Sequence, residues 1–329
     1  MLFHHQCFAR RLTRSLAVVS RSHPSPDLNS AGPFQIFDRE AKRMQKDRAA
    51  RKNHGARSRT VDYVFDEVAE GLFVRFEDIK RKFDTLLELG SGAGRFSKLL
   101  ETQHTRKSVL LDCSRESLYR DENRGFEVLI DRINYDEERL LEAVQPNSQE
   151  AIVSCLSLHW VNDLPGILVQ IKEALKPDGL FLGALLGGET LFELRTSLQL
   201  AQVDREGGIS PHISPMTDIR DMSNLMGRAG FNLITVDLDE ITCGYPSMWE
   251  LMDDLRDMGE SNAVLGRPHF IHRDTLAAAS AIYKEMYGNE DGSIPATFQV
   301  IYLIGWKPAA TQPKPLPRGS AKTNLKDIL

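Results

Sequence analysis

Cysteine is scarce in this chain. Its 329 residues hold four, Cys7, Cys113, Cys155 and Cys243, with no C-x-x-C pair and no metal-ligand spacing among them. That excludes a disulfide framework and fits a reducing compartment. Long apolar runs are missing too: none reaches the ~18 residues a membrane-spanning helix needs. Excess positive charge is absent; the formal net charge is -5, so the bulk composition gives no signal for nucleic acid. Acid is lacking in one place. Residues 1–26 contain no carboxylate before Asp27, yet carry Arg10, Arg11, Arg14 and Arg21, with Phe8, Leu12, Leu16 and Val19 along one side of a helix and several serines between. This is the pattern of a mitochondrial presequence, predicted here over residues 1–30; a disordered basic tail is the plainer reading.

A second basic stretch, 31–60, holds nine Lys and Arg between Arg39 and Arg59 against Asp38, Glu40 and Asp47. Such a run reads as a solvated helix or arm, or as a surface resting on anionic lipid headgroups or an acidic partner.

From residue 61 the pattern becomes regular. Helical spacing over 61–79 precedes strands at 84–89, 107–112, 126–131, 150–156 and 180–185, with helices at 93–102, 114–121 and 164–175 between them. The run Lys176-Pro177-Asp178-Gly179 reads as a turn, and Gly230 as the cap of a helix at 218–229. Strands at 231–238 and 298–306 complete a count of seven. Alternating strands and helices predict an α/β fold: a doubly wound, mostly parallel seven-stranded sheet spanning 61–308. Two connections, 186–217 and 241–297, exceed ordinary loops and read as helical lids. The tail, 309–329, reads as disordered.

The most telling stretch is Glu88-Leu89-Gly90-Ser91-Gly92-Ala93-Gly94, which follows the first strand. Glycine permits positive φ and a close backbone approach to a ligand. Asp112 ends the second strand, where a carboxylate can accept from both hydroxyls of a ribose. Turn and acid together form a nucleoside-binding pair. A dinucleotide site usually shows G-x-G-x-x-G with its pyrophosphate on a helix N-terminus. Here Glu88 precedes the glycines and disfavours a pyrophosphate. It suits a cofactor bearing an ammonium group, as S-adenosyl-L-methionine does.

These features resemble the class I S-adenosylmethionine-dependent methyltransferases. The runs 154–165 and 175–179 look like the branch containing malonyl-carrier-protein methyltransferases. Narrower matches are Ile36-Phe37-Asp38-Arg39 and the runs 187–195, 205–215, 254–262 and 289–295; these resemble a family of mitochondrial complex I assembly factors. The resemblance covers roughly 34–308. It implies an S-adenosylmethionine cofactor held by Glu88, Gly90, Gly92, Gly94 and Asp112, with Asp136 near the adenine edge or in a solvated acidic turn. It also implies a matrix location, peripheral on the inner membrane, and early action in complex I assembly. The partners would be a complex I core subunit as protein substrate and other assembly factors. The family activity is arginine hydroxylation, with methyl transfer as an alternative.

His159 follows the fourth strand and is a candidate for taking a proton from an acceptor, or a structural histidine satisfied by Asn162 or Asp163. Glu189 and Glu193 are candidates for pairing with a substrate arginine, unless Arg195 neutralises them. The residues themselves show no oxidation chemistry. A non-haem iron site needs two histidines and a carboxylate; His272-Arg273-Asp274 lacks a following histidine and His269 is too close, so no metal site is assigned. Rival readings are a carboxyl methyltransferase of a small molecule or carrier protein, and a non-catalytic assembly chaperone.

Overall fold

The computed structural model describes residues 35–314 and 318–320. The predicted presequence and most of the tail lie outside the described residues. Among the described residues no helix is long and apolar enough to cross a membrane.

Seven strands form one sheet: β1 (Phe83–Leu89), β2 (Thr105–Asp112), β3 (Leu129–Asn134), β4 (Gln149–Cys155), β5 (Leu175–Leu186), β6 (Asn232–Tyr245) and β7 (Ile294–Trp306). Their order is β3-β2-β1-β4-β5-β7-β6. Every pair is parallel except those made by β7, which runs antiparallel to both neighbours. The α/β expectation is met.

Among the described residues, ten α-helices accompany the sheet: α1 (Arg39–Arg51), α2 (Ala56–Thr60), α3 (Tyr63–Glu77), α4 (Arg115–Tyr119), α5 (Leu140–Ala143), α6 (Leu164–Ala174), α7 (Phe192–Glu206), α8 (Ile219–Ala229), α9 (Met248–Met258) and α10 (Arg273–Tyr287). Alternation in the central strands splits the core. Leu87, Leu89, Ile152 and Phe181 face the layer of α6 and α8, while Leu86, Val153, Leu180 and Leu182 face α3 through Val68, Leu72 and Phe76. A third cluster joins α7, α9 and α10 over the ends of β6 and β7.

Several boundaries differ from the sequence reading. The helix expected at 93–102 is a turn with a short 3-10 segment, Ser97–Leu99, because Gly94 sits at φ 72° and Leu100 returns to extended backbone. Residues 175–179 are not a free turn. They belong to β5, which bulges against β4, with Asp178 at φ 62°. Strands β6 and β7 run longer than expected, so the second insertion shrinks to a piece carrying α9 and α10.

The basic stretch is the largest correction. Much of it is seated on the folded domain rather than solvated throughout, although the Arg51, Lys52 and Arg57 side chains keep 63%, 50% and 44% exposure. Arg39, Lys42, Lys46, Lys52, Arg57 and Arg59 all pair with carboxylates of the folded domain, and Lys42 is 2% exposed. The motif 36–39 anchors this strap. Phe37 packs edge-on against Trp160, Asp38 caps α1 by accepting from Ala41 N, and Asn162 Oδ1 accepts from the N–H groups of Ile36 and Phe37. The matching carboxylates lie as far away as Glu260, so nothing local in the sequence revealed them.

Candidate functional site

The strand order reverses between β1 and β4, and loops at their carboxyl ends build the site. After β1, the N–H groups of Gly90 and Ser91 both donate to Leu111 O, at 2.8 and 3.1 Å, tying the turn to β2. Gly90 sits at φ 68°, and a Cβ there would lie 2.0 Å from Ser157 Oγ. Gly92 sits at φ 53° and donates its N–H to Asp112 Oδ2 at 2.7 Å. Gly90 and Gly92 line the cleft. Gly94 does not; it packs against Leu110 and Phe126, so its role is structural.

Glu88 is buried at the floor of this cleft. Its Oε2 accepts from both the N–H and the hydroxyl of Ser97, while Oε1 is buried without a partner among the described residues. Burial pushes the Glu88 carboxyl up to about 7 against the opposing pull of the Ser97 hydrogen bonds. A buried acceptor with nothing to accept from, beside a glycine turn, fits the ammonium group of an amino acid.

Asp112 is fully buried at the end of β2. It accepts from Gly92 N and Ser114 N, both at 2.7 Å, and from Lys46 Nζ at 2.6 Å. Lys46 comes from α1 and covers the carboxylate. Ribose hydroxyls reach Asp112 only if Lys46 withdraws or shares it. Asp136 is half exposed, pairs with Arg39, and does not line the cleft. Its neighbour Glu137 is the inward acid: 1% exposed, lining the cleft, and also held by Arg39. Of the two readings of Asp136, the geometry matches the solvated acidic turn: the turn after β3 faces it outward, where it caps Glu138 N.

The cleft encloses about 740 Å³ counting its open mouth. A larger cavity of about 1440 Å³, measured the same way, adjoins it. Phe65, Leu156, Trp160, Met258 and Glu260 line both. The larger cavity is mostly apolar, walled by Leu191, Leu194, Leu198 and Phe298. Two of its wall residues are strained: Leu156 at φ 51° after β4 and Leu191 at φ 52° before α7. Left-handed non-glycine residues of this kind gather at functional sites.

His159 faces the larger cavity. Its Nε2 lies 3.6 Å from Glu260 Oε2, and neither ring nitrogen has a hydrogen-bond partner among the described residues. Burial lowers its proton affinity, partly offset by Glu260, which favours the neutral ring. Neither Asn162 nor Asp163 satisfies it; Asn162 holds the strap and Asp163 caps α6 through Gly166 N.

Glu189 is a correction. It is exposed and lines neither cavity, because the turn of Gly187 and Gly188 sends Thr190 and Leu191 inward instead. Glu193 is buried but bonded to Thr297, at 2.6 Å from Oγ1. Arg195 donates to the carbonyls of Gly188 and Thr190 rather than to either acid.

Sequence reasoning missed Lys42, Lys46, Glu137 and Glu260. One signal was available: residues 39, 42 and 46 share a helix face, a spacing suited to a seated helix as much as to a solvated one.

The comparisons agree with this geometry. A family model described as a methyltransferase domain matches residues 60–236. A Bacillus halodurans structure assigned as a methyltransferase covers 72% of this chain and 98% of its own, at TM-score 0.51 and 13% identity, a likeness of fold. A malonyl-[acyl-carrier protein] O-methyltransferase of Xylella fastidiosa is 32% identical over 68% of this chain and 74% of that protein. Proteins named arginine-hydroxylase NDUFAF5, mitochondrial, match far more fully. The Homo sapiens protein is 48% identical over 90% of this chain and 84% of its own length, and the Danio rerio protein 46% over 96% and 95%. On this coverage and identity, the chain belongs to the arginine-hydroxylase NDUFAF5 family, within the methyltransferase-domain proteins.

Proposed function

We propose that this chain is a mitochondrial enzyme that binds S-adenosyl-L-methionine in the glycine-lined cleft. We propose further that it modifies an arginine side chain on a core subunit of respiratory complex I early in assembly. Family membership supports the arginine substrate and the mitochondrial location, since the relatives carry both in their names. The single observation that supports the cofactor is the orphaned Glu88 Oε1 beside Gly90 and Gly92.

When bound, this cofactor supplies an electrophilic methyl group on a sulfonium. Glu88 would accept from its ammonium group. Gly90 and Gly92 would let backbone N–H groups come close. Asp112 would accept from the ribose hydroxyls, and Glu137 is the acid placed nearest for the base. His159, neutral and unpartnered, would accept a hydrogen bond from the substrate rather than act as a strong base.

Incubating the enzyme with its acceptor and resolving the acceptor arginine by mass spectrometry tests the reading. Addition of an oxygen or of a methylene unit to that residue supports it, and the two additions differ in mass. An unmodified arginine beside a methylated carboxyl group overturns it. That second outcome has one observation in its favour: the apolar larger cavity suits an acyl chain.

Cofactor binding is also expected to depend on pH. Glu88 in the free protein takes up its proton below about pH 7, and an ammonium ligand favours the carboxylate. Affinity for S-adenosylmethionine therefore rises with pH, by up to about tenfold per unit below pH 7, and levels off above it. Calorimetric titrations between pH 5.5 and 7.5 check this, and Glu88→Gln should flatten the profile.

A further inference from the structure

The wall between the two cavities already holds a cation. Lys42 Nζ donates to Gly259 O at 2.7 Å, lies 2.9 Å from Glu260 Oε1, and sits 3.7 Å from the centroid of the Trp160 ring. Aromatic face, carboxylate and carbonyl together form a cage for a positive charge. Burial alone would raise the Glu260 carboxyl, but the Lys42 ammonium holds it well below the usual carboxylate range. Trp160 Nε1 donates to Glu260 Oε2 at 2.6 Å, so the carboxylate is fixed between the indole and the ammonium.

The cage is imperfectly matched to its occupant. An ammonium offers three donors from one point; a guanidinium offers five in a planar fork. The neutral His159 ring, 3.6 Å from Glu260 through Nε2, is an unused acceptor beside the cage. A flat, many-donor cation would reach it where the lysine does not. Beyond the cage, the larger cavity runs apolar past Leu156 and Leu194, which suits the three methylenes of an arginine stem. Exchanging one cation for another keeps Glu260 paired, and the displaced Lys42, whose pKa burial already lowers to about 8, must reach water or give up its proton.

We propose that Trp160, Glu260 and Gly259 O form the acceptor-cation site, that Lys42 of α1 occupies it as an intramolecular stand-in, and that a guanidinium entering from the larger cavity displaces Lys42. This identification rests on the arginine reading for its biological ligand, and its test does not.

The test titrates methylguanidinium chloride into the purified wild type and Lys42→Met, followed by calorimetry and by the Trp160 indole N–H resonance. Lys42→Met vacates the cage and should bind at least about tenfold more tightly than wild type. Adding Glu260→Gln to Lys42→Met should abolish that gain. Equal, weak binding by wild type and a folded Lys42→Met overturns the proposal. If Lys42→Met does not fold, Lys42→Gln, which keeps a neutral donor to Glu260, carries the same comparison. Failure of both to fold, unrelieved by methylguanidinium in the refolding buffer, counts against a cage open to outside cations. No acceptor protein is involved, so the two ideas fail separately. Cage binding without any change to the acceptor arginine keeps the site and removes the reading; a modified arginine without cage binding does the reverse.

Discussion

Asp112→Ala should cost this protein much of its stability as well as its cofactor. From the sequence alone Asp112 is only an acid that ends the second strand. The structure places it at 0% exposure, accepting from two backbone N–H groups and the Lys46 ammonium. Removing it strands a mostly buried cation and two donors. Breaking a buried pair from one side typically costs about 3–5 kcal/mol. The lower end applies, since the Lys46 side chain keeps 17% exposure. Urea denaturation followed by circular dichroism measures this. Adding Lys46→Met to Asp112→Ala should return part of the loss, because the stranded charge goes too. An unchanged unfolding midpoint in Asp112→Ala would contradict the buried pair and, with it, the account of how α1 is seated.

The second large effect is expected at Gly90. An alanine there would hold its Cβ 2.0 Å from Ser157 Oγ and 2.2 Å from Ser157 Cβ, at φ 68°. Overlap of this kind costs about 1–3 kcal/mol, and an L-residue in the left-handed region adds roughly 1–2 kcal/mol. Gly90→Ala should therefore destabilise the fold and displace the turn that lines the cleft, leaving no measurable cofactor binding by calorimetry. Gly90→Ala/Ser157→Gly removes the overlap and keeps the backbone strain, so it should recover about half the loss. Gly92→Ala is the control: its nearest neighbour is Arg95 Nη1 at 3.6 Å, leaving only strain. If Gly90→Ala and Gly92→Ala proved equally mild, the close approach of Ser157 would not hold in solution.

What could be read before the structure follows from the range of each interaction. The sheet was legible because burial on both faces writes itself locally: Leu86 and Leu87 need only their immediate neighbours to look like a strand. Glu88, the glycines and Asp112 were legible because one turn places them within a few residues of their strands. Glu137 was missed because a single residue of twist in a 3-10 turn decides which acid points inward. Glu189 was misplaced because its side is set by Gly187, whose N–H is held by Gln299 O more than a hundred residues on. The strap was misread for the same reason. A lysine that will meet a distant carboxylate and one that will meet water have identical neighbours in sequence.

The strap also constrains the order in which the molecule comes together. Lys42 meets Gly259 across 217 residues, Lys52 meets Asp257 across 205, and Arg57 meets Asp257 across 200. Contacts closing loops of that size form late, after the sheet that supports their far ends. A chain delivered from its amino end presents α1 first and can seat it only when α9 and the segment behind it have arrived. Until then Asp112 stands uncovered at the end of β2. Seating α1 over the nucleoside cleft is therefore expected to be a late step of folding. A small molecule present during that interval meets no helix in its way, whereas one arriving afterwards must wait for α1 to lift. Cofactor loading should accordingly be faster during refolding than by exchange into the finished enzyme.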